Sequence, residues 1–125
     1  SLSYQIYTMD KLTAKEEDIM MVLWELERAF VKDIVSKLSG KNHYNTISTI
    51  VRNLEDKGYV AHQAFGKTHQ YFPVITKEQY SKTFLATAMD GYFENSYKDL
   101  VSFFAKEEKI SAKELREILN LIENK

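Results

Sequence analysis

A helical apolar period that halts at a glycine and gives way at once to two strand-like runs constrains this chain most. Ile47, Ile50, Val51 and Leu54 recur at the spacing of one helix face. Gly58 follows, and glycine enters the left-handed backbone conformation without steric cost, so a helix is predicted from near Asn42–Asn45 to about Lys57. Tyr59 to Phe65 and Gln70 to Val74 then read as strands, joined by the turn chemistry of Gly66-Lys67-Thr68-His69. Pro73 is the only proline, and it sits near the end of the second strand, where a missing N–H is tolerated.

Upstream, Thr13 followed by Glu16 is a capping box, and Ile19, Val22, Leu23 and Leu26 continue it as one helix face with Trp24 beside it. Ala29-Phe30-Val31 has the size of a minimal strand or a docking turn. A short helix over Lys32 to Leu38, burying Ile34, Val35 and Leu38, ends at Ser39-Gly40. The order is helix, short apolar stretch, helix, helix, hairpin. It predicts a mostly α fold with a small β-hairpin wing, an N-terminal winged helix-turn-helix.

Beyond Val74-Ile75-Thr76 the pattern changes, which divides the chain into residues 1–75 and 76–125. A helical pattern from Thr76 carries Tyr80, Phe84, Leu85 and Met89, with Gly91 as a bend or end. A second starts at Ser96 with Tyr97, Leu100, Val101, Phe103 and Phe104. Ser111 and Glu114 form another capping box, opening a helix with Leu115, Ile118, Leu119 and Ile122. Phe84, Tyr92, Phe93, Tyr97, Phe103 and Phe104 are too much aromatic surface for so short a segment to bury alone. Of two uses for this surface, a satellite core against the winged part or a homodimer interface, the interface is the expectation, from Phe84, Tyr97, Leu100, Val101, Phe104, Leu115, Ile118, Leu119 and Ile122, making 76–125 a helical dimerisation region.

The net charge of -1 conceals a sorting along the chain. From Asp10 to Arg28 the acids Asp10, Glu16, Glu17, Asp18, Glu25 and Glu27 outnumber Lys11, Lys15 and Arg28. From Ile34 to Lys77 the bases Lys37, Lys41, Arg52, Lys57, Lys67 and Lys77 face only Glu55 and Asp56. Within that basic stretch, the outward face of the third helix offers Asn45, Thr46, Ser48, Thr49, Arg52 and Asn53. Short hydrogen-bonding side chains suit close approach to base edges: asparagine pairs with adenine, and threonine methyls meet thymine methyls. Double-stranded DNA is the partner these residues imply. Lys41, Asn45, Thr46, Ser48, Thr49 and Arg52 are the expected contacts, with Lys67 and His69 of the hairpin tip over phosphate or in a minor groove.

Catalytic and metal chemistry find no motif. There are no cysteines, which removes thiol nucleophiles, thiolate metal sites and disulfides and fits a reducing cytoplasm. His62 and His69 could converge on facing strands, but no carboxylate lies within sequence reach to complete a metal site. No glycine-rich phosphate loop is present, and the expectation is a non-enzyme without cofactor. Ser1 to Asp10 shows no signal-peptide pattern, and its Ser-Leu start fits a cloning remnant. No run approaches the roughly 20 apolar residues of a bilayer span, so no membrane insertion is expected.

Two stretches resemble the penicillinase-repressor (BlaI/MecI) family: Leu12-Thr13-Ala14-Lys15-Glu16-Glu17-Asp18-Ile19-Met20-Met21-Val22-Leu23-Trp24, and Tyr44-Asn45-Thr46-Ile47-Ser48-Thr49-Ile50-Val51-Arg52-Asn53-Leu54 through Gly58-Tyr59-Val60. Tyr71-Phe72-Pro73 and the tail from Leu100-Val101 through Ser111 and Leu115 are similar too. The resemblance implies a dimeric repressor on palindromic operators, with a winged helix first and helical dimerisation after it. In members that control β-lactam resistance, a membrane sensor-protease signal leads to cleavage in the C-terminal helices. Similarity of the tails places that bond near Phe103-Phe104, where this chain has Phe103 in place of the family's asparagine. Thr46 and Thr49 match the family pattern, whereas Asn45 and Ser48 replace longer basic or amide side chains, which implies a different operator. The copper-responsive branch uses a C-terminal cysteine cluster that this chain lacks. Two other readings stay open on the residues alone: a winged-helix module that docks a partner protein, and a regulator sensing a small molecule.

Overall fold

The computed structural model describes residues 11–124, so the signal-peptide and cloning-remnant readings of the first ten residues lie outside the described part. Helix α1 (Ala14–Leu26) opens on the capping box: Thr13 Oγ1 accepts from the Glu16 N–H at 3.1 Å, and Glu16 Oε1 accepts from the Thr13 N–H at 2.9 Å. Strand β1 (Ala29–Phe30) leads directly into α2 (Val31–Lys37), where Asp33 accepts from the Phe30 N–H at 3.0 Å. The apolar stretch 29–31 is thus a strand and the start of the next helix at once.

Helix α3 (Tyr44–Asp56) buries Ile47, Val51 and Leu54, with Ile50 half-buried beside them. It ends as a Schellman motif. The Tyr59 N–H reaches the Leu54 carbonyl at 3.0 Å, the Gly58 N–H reaches Glu55 at 3.0 Å, and Gly58 has φ 86°. That left-handed residue turns the chain from α3 into β2 (Val60–Phe65), which pairs antiparallel with β3 (Thr68–Pro73).

The hairpin loop is tighter than the sequence reading. Phe65 pairs with Thr68, leaving only Gly66-Lys67 between the strands, so β3 begins two residues before the expected Gln70. Gly66 carries φ 61° at the first central position, the type II′ pattern whose twist matches the flanking strands. Strand β3 lies between β1 and β2, with Ala29 opposite Tyr71 and His62 opposite Tyr71 on the other side.

The chain divides into two compact units after Thr83, inside α4 (Lys77–Tyr92). In the first unit, Ile19, Met20 and Leu23 of α1, Ile34 of α2, the α3 stripe, Tyr59 just before β2, and Val60 and Tyr71 of the sheet are part of one core. The first turn of α4 belongs to this unit. Tyr80 packs against Trp24 and Tyr59 with ring centroids 5.7 and 6.1 Å apart, and its hydroxyl donates to Glu17 at 2.9 Å. Trp24 Nε1 in turn donates to the Ile75 carbonyl at 2.9 Å.

The second unit holds the rest of α4, α5 (Tyr97–Lys106) and α6 (Ala112–Glu123). Gly91 lies within α4, and the chain turns after Tyr92 through Glu94 and Asn95, both at positive φ. Ser96 caps α5 by accepting from the Asp99 N–H, and the Ser111–Glu114 capping box opens α6. Phe93 and Phe103 meet edge to face at 5.9 Å. Among the described residues of this unit, Met89 is the only buried hydrophobic.

Candidate nucleic-acid interface

Inward burial of Ile47, Val51 and Leu54 fixes what α3 presents outward, because residues three and four apart share a face. Asn45, Thr46, Thr49, Arg52 and Asn53 are exposed. The Thr49 hydroxyl donates to the Asn45 carbonyl at 3.0 Å and accepts from Arg52 at 3.3 Å, so it is engaged within the helix. Thr46 has no such bond among the described residues, leaving its hydroxyl and methyl both available.

A surface cleft of about 350 Å³ runs between the start of α2, α3 and the wing. Of the residues expected at the interface it gathers Ser48, Arg52, Lys67 and His69. Asn45, Thr46 and Thr49 lie on exposed α3 surface outside it, and Lys41 is exposed in the loop before α3. Lys32 and Tyr44 are among the cleft residues that were not anticipated. Tyr44, the first residue of α3, is 53% exposed, and it stood unremarked inside the stretch resembling the family. Lys32 fell just outside the basic segment counted from Ile34, and only the fold brings it to α3.

The histidines also meet. His62 and His69 stack with ring centroids 4.0 Å apart and planes 6° from parallel, a diagonal pair on one face of the hairpin. The reading that no carboxylate was in reach is corrected here, because Glu55 near the C-terminal end of α3 lies 2.6 Å from His62 Nδ1. Among the described residues no cluster of three or more such side chains is arranged to hold a metal ion. Below the pair, burial raises the Tyr71 hydroxyl above the ordinary tyrosine range; the Glu55 charge adds to this, while Arg52 works against it.

Two polar links hold α3 against α1. Lys57 donates to both Glu16 oxygens at 2.9 Å, and Lys15 donates to Asn42 just ahead of α3. Burial pushes the Glu16 carboxyl up, but the Thr13 N–H and the Lys57 ammonium outweigh it and hold the carboxyl below its usual range.

The residues expected to pair subunits remain largely uncovered in the single chain. Phe84, Tyr97, Val101, Phe104, Ile118, Leu119 and Ile122 are exposed, and Leu100 and Leu115 half-buried. The Phe103–Phe104 bond lies in helical backbone, where the Phe103 carbonyl accepts from the Glu107 N–H at 3.0 Å. No described helix is long and apolar enough to cross a membrane.

Three helices, a three-stranded antiparallel sheet and a protruding hairpin define the winged-helix class. The solution structure of the DNA-binding domain of the repressor BlaI is similar, with TM-score 0.52 and 24% identity over 58% of this chain and 92% of that one. The complex structure of hsRosR-S4 matches at TM-score 0.53 and 16% identity, over 87% of this chain and 96% of that one.

The penicillinase-repressor family model matches residues 12–124, and the chain belongs to that family. The methicillin resistance regulatory protein MecI of Staphylococcus aureus (strain N315) is 20% identical over 117 residues, 92% of this chain and 95% of that relative. The penicillinase repressor of Bacillus licheniformis is 21% identical over 115 residues, 90% of each. The family is one of transcriptional repressors, not enzymes.

Proposed function

We propose that this protein is a homodimeric transcriptional repressor that binds a palindromic DNA operator, with α3 reading base edges in the major groove and the wing against the backbone. One observation carries the reading: the exposed short polar face of α3 adjoins a cleft into which Arg52 and Lys67 bring positive charge that no described ion pair neutralises. Family membership and the winged-helix likeness support it. Residues up to 75 form the DNA-reading part in this proposal. The segment from 76 onward pairs two chains, supported by its exposed apolar side chains.

Operator titration of Thr46→Ala and Arg52→Gln tests the assignment. Thr46→Ala should cost roughly 1–3 kcal/mol of specific binding and leave non-specific binding nearly intact. Arg52→Gln should weaken every duplex and make the plot of log K against log salt shallower by about one. Binding that ignores duplex sequence in the wild type, or specific and non-specific affinity falling together in Thr46→Ala, would assign the face to a protein partner instead.

A further inference from the structure

Helix α4 is fastened to the winged core over its first turn and leaves that core one turn later. Ile75, buried immediately before the helix, offers its carbonyl to Trp24 Nε1 at 2.9 Å, and its N–H reaches the Tyr59 carbonyl at 3.3 Å. Thr76 then caps the helix in a reciprocal box with Gln79. The Gln79 N–H donates to Thr76 Oγ1 at 3.1 Å, and the Thr76 N–H donates to Gln79 Oε1 at 2.8 Å. Tyr80 completes the attachment, its ring against those of Trp24 and Tyr59 and its hydroxyl on Glu17 of α1. Burial and the Glu17 carboxylate push that hydroxyl well above the usual tyrosine range, so it stays a neutral donor.

Tyr80 and Phe84 are four residues apart and share a helix face. Tyr80 is packed against the winged core, whereas Phe84 is 62% exposed and begins the second unit. From Lys77 to Asp90 the helix has neither glycine nor proline, so its sequence provides no kink site to absorb a rotation or a tilt. A side chain that holds one end of an uninterrupted helix therefore holds the direction of the whole helix. Covering the edge of the core would need only a large apolar side chain at position 80. The hydroxyl bond to Glu17 adds direction, since it fixes how α4 is turned about its axis as well as what it touches.

We propose that Tyr80 is a positioning residue: with Trp24 and Glu17 it fixes the direction in which α4 leaves the winged unit, and so sets the one half-site spacing that a dimer of this chain accepts. The proposal rests on the homodimeric, operator-binding reading above and goes beyond it, because a dimer joined through a loose tether would span many spacings. Each base pair inserted between two half-sites moves one of them by about 3.4 Å and turns it by about 35° around the duplex. A stiff joint follows neither change.

The probe is the palindromic duplex that the full-length wild type selects from random-sequence DNA. It is remade with one to five base pairs inserted at its centre, and also as a single half-site. The wild type should lose affinity by on the order of 100-fold on the inserted duplexes, because the second contact is forfeited. Tyr80→Leu should bind the half-site as the wild type does, bind the original palindrome more weakly, and lose less than about tenfold on any insertion. Tyr80→Phe keeps the ring contacts and loses only the bond to Glu17, so its spacing profile should fall between the two, and Glu17→Ala should match it. Circular dichroism and sedimentation check that each variant is folded and dimeric.

Two results overturn the positioning role and leave the operator reading standing. One is a Tyr80→Leu or Tyr80→Phe profile as sharp as that of the wild type. The other is a single common loss on the half-site and on every spacing, which would make Tyr80 a support of the winged core alone. A wild type that accepts all spacings equally while still preferring two half-sites to one also removes the stiff joint. Selection of no palindrome, or equal affinity for one half-site and two, removes the dimeric operator reading and the joint with it.

Discussion

Leu54 and Ile122 are both aliphatic residues on amphipathic helices, yet Leu54 is 0% exposed in the winged unit and Ile122 is 67% exposed in the C-terminal unit. The winged unit closes on itself because its three helices meet a sheet that supplies the fourth wall with Val60 and Tyr71, and Tyr59 just before β2 packs beside them. The C-terminal unit has no sheet, and three helices of 10 to 16 residues, the first shared with the winged unit, leave their apolar stripes facing outward. One unit is finished by its own chain. The other has the surface of half a core, which a second copy completes in the proposed dimer.

The strongest way to break that contrast is to remove the open half. A chain ending at Phe103 loses Leu115, Ile118, Leu119 and Ile122 while the α3 face and the cleft stay chemically whole. We expect it to sediment as a monomer with a folded winged unit and to lose operator affinity by orders of magnitude, since the second half-site contact no longer benefits from high effective concentration. Sedimentation velocity and operator titration check this. Full affinity in the truncated chain would show that the C-terminal helices serve something other than pairing.

A matched pair of truncations sharpens it. Leu54→Ala should cost about 2–5 kcal/mol of unfolding free energy, because it leaves a cavity in a closed core. That cost should not depend on protein concentration. Ile122→Ala should leave the isolated chain nearly as stable and instead raise the dimer dissociation constant, so its apparent destabilisation is near zero where both proteins are monomeric and grows with protein concentration until both are dimeric. Denaturant titrations at two concentrations separate the cases, and equal, concentration-independent losses would count against the contrast.

The smallest effect lies in the link between α1 and α3. Glu16 is held below its ordinary carboxylate range in the folded protein, so its contribution is fully present above the unfolded value near 4.5. It is lost as the pH falls through the lower folded value. Glu16→Gln should therefore destabilise the winged unit by about 1–2 kcal/mol at neutral pH, the cost of breaking one charged hydrogen-bonded pair. The gap between variant and wild type should narrow in acid. Thermal melts from pH 7 down to 3 read it, and a gap that stays constant would remove the ion pair from the account.

The sequence by itself determined what forms within a turn or two of chain. Both capping boxes, the α3 stripe, the glycine stop after it and the hairpin depend on residues a few positions apart, whose hydrogen bonds and periodicity are set by local geometry. Asn45, Thr46, Thr49 and Arg52 were legible as an outward face for the same reason: fixing the inward side of a helix fixes the outward one. Family membership was legible too, because it rides on those local stretches. Tertiary structure alone decided the rest. Ala29-Phe30 became a strand only because β3 lay free to pair on that edge. Glu16 meets Lys57 across 41 positions and Trp24 meets the Ile75 carbonyl across 51, separations over which spacing carries no signal. Glu55 found His62, and Lys32 joined Arg52 and Lys67, because packing around one core brings α2, α3 and the wing to a common edge. Charge along the chain showed where cations are plentiful; closure of that core decided which of them share a cleft without a counter-charge.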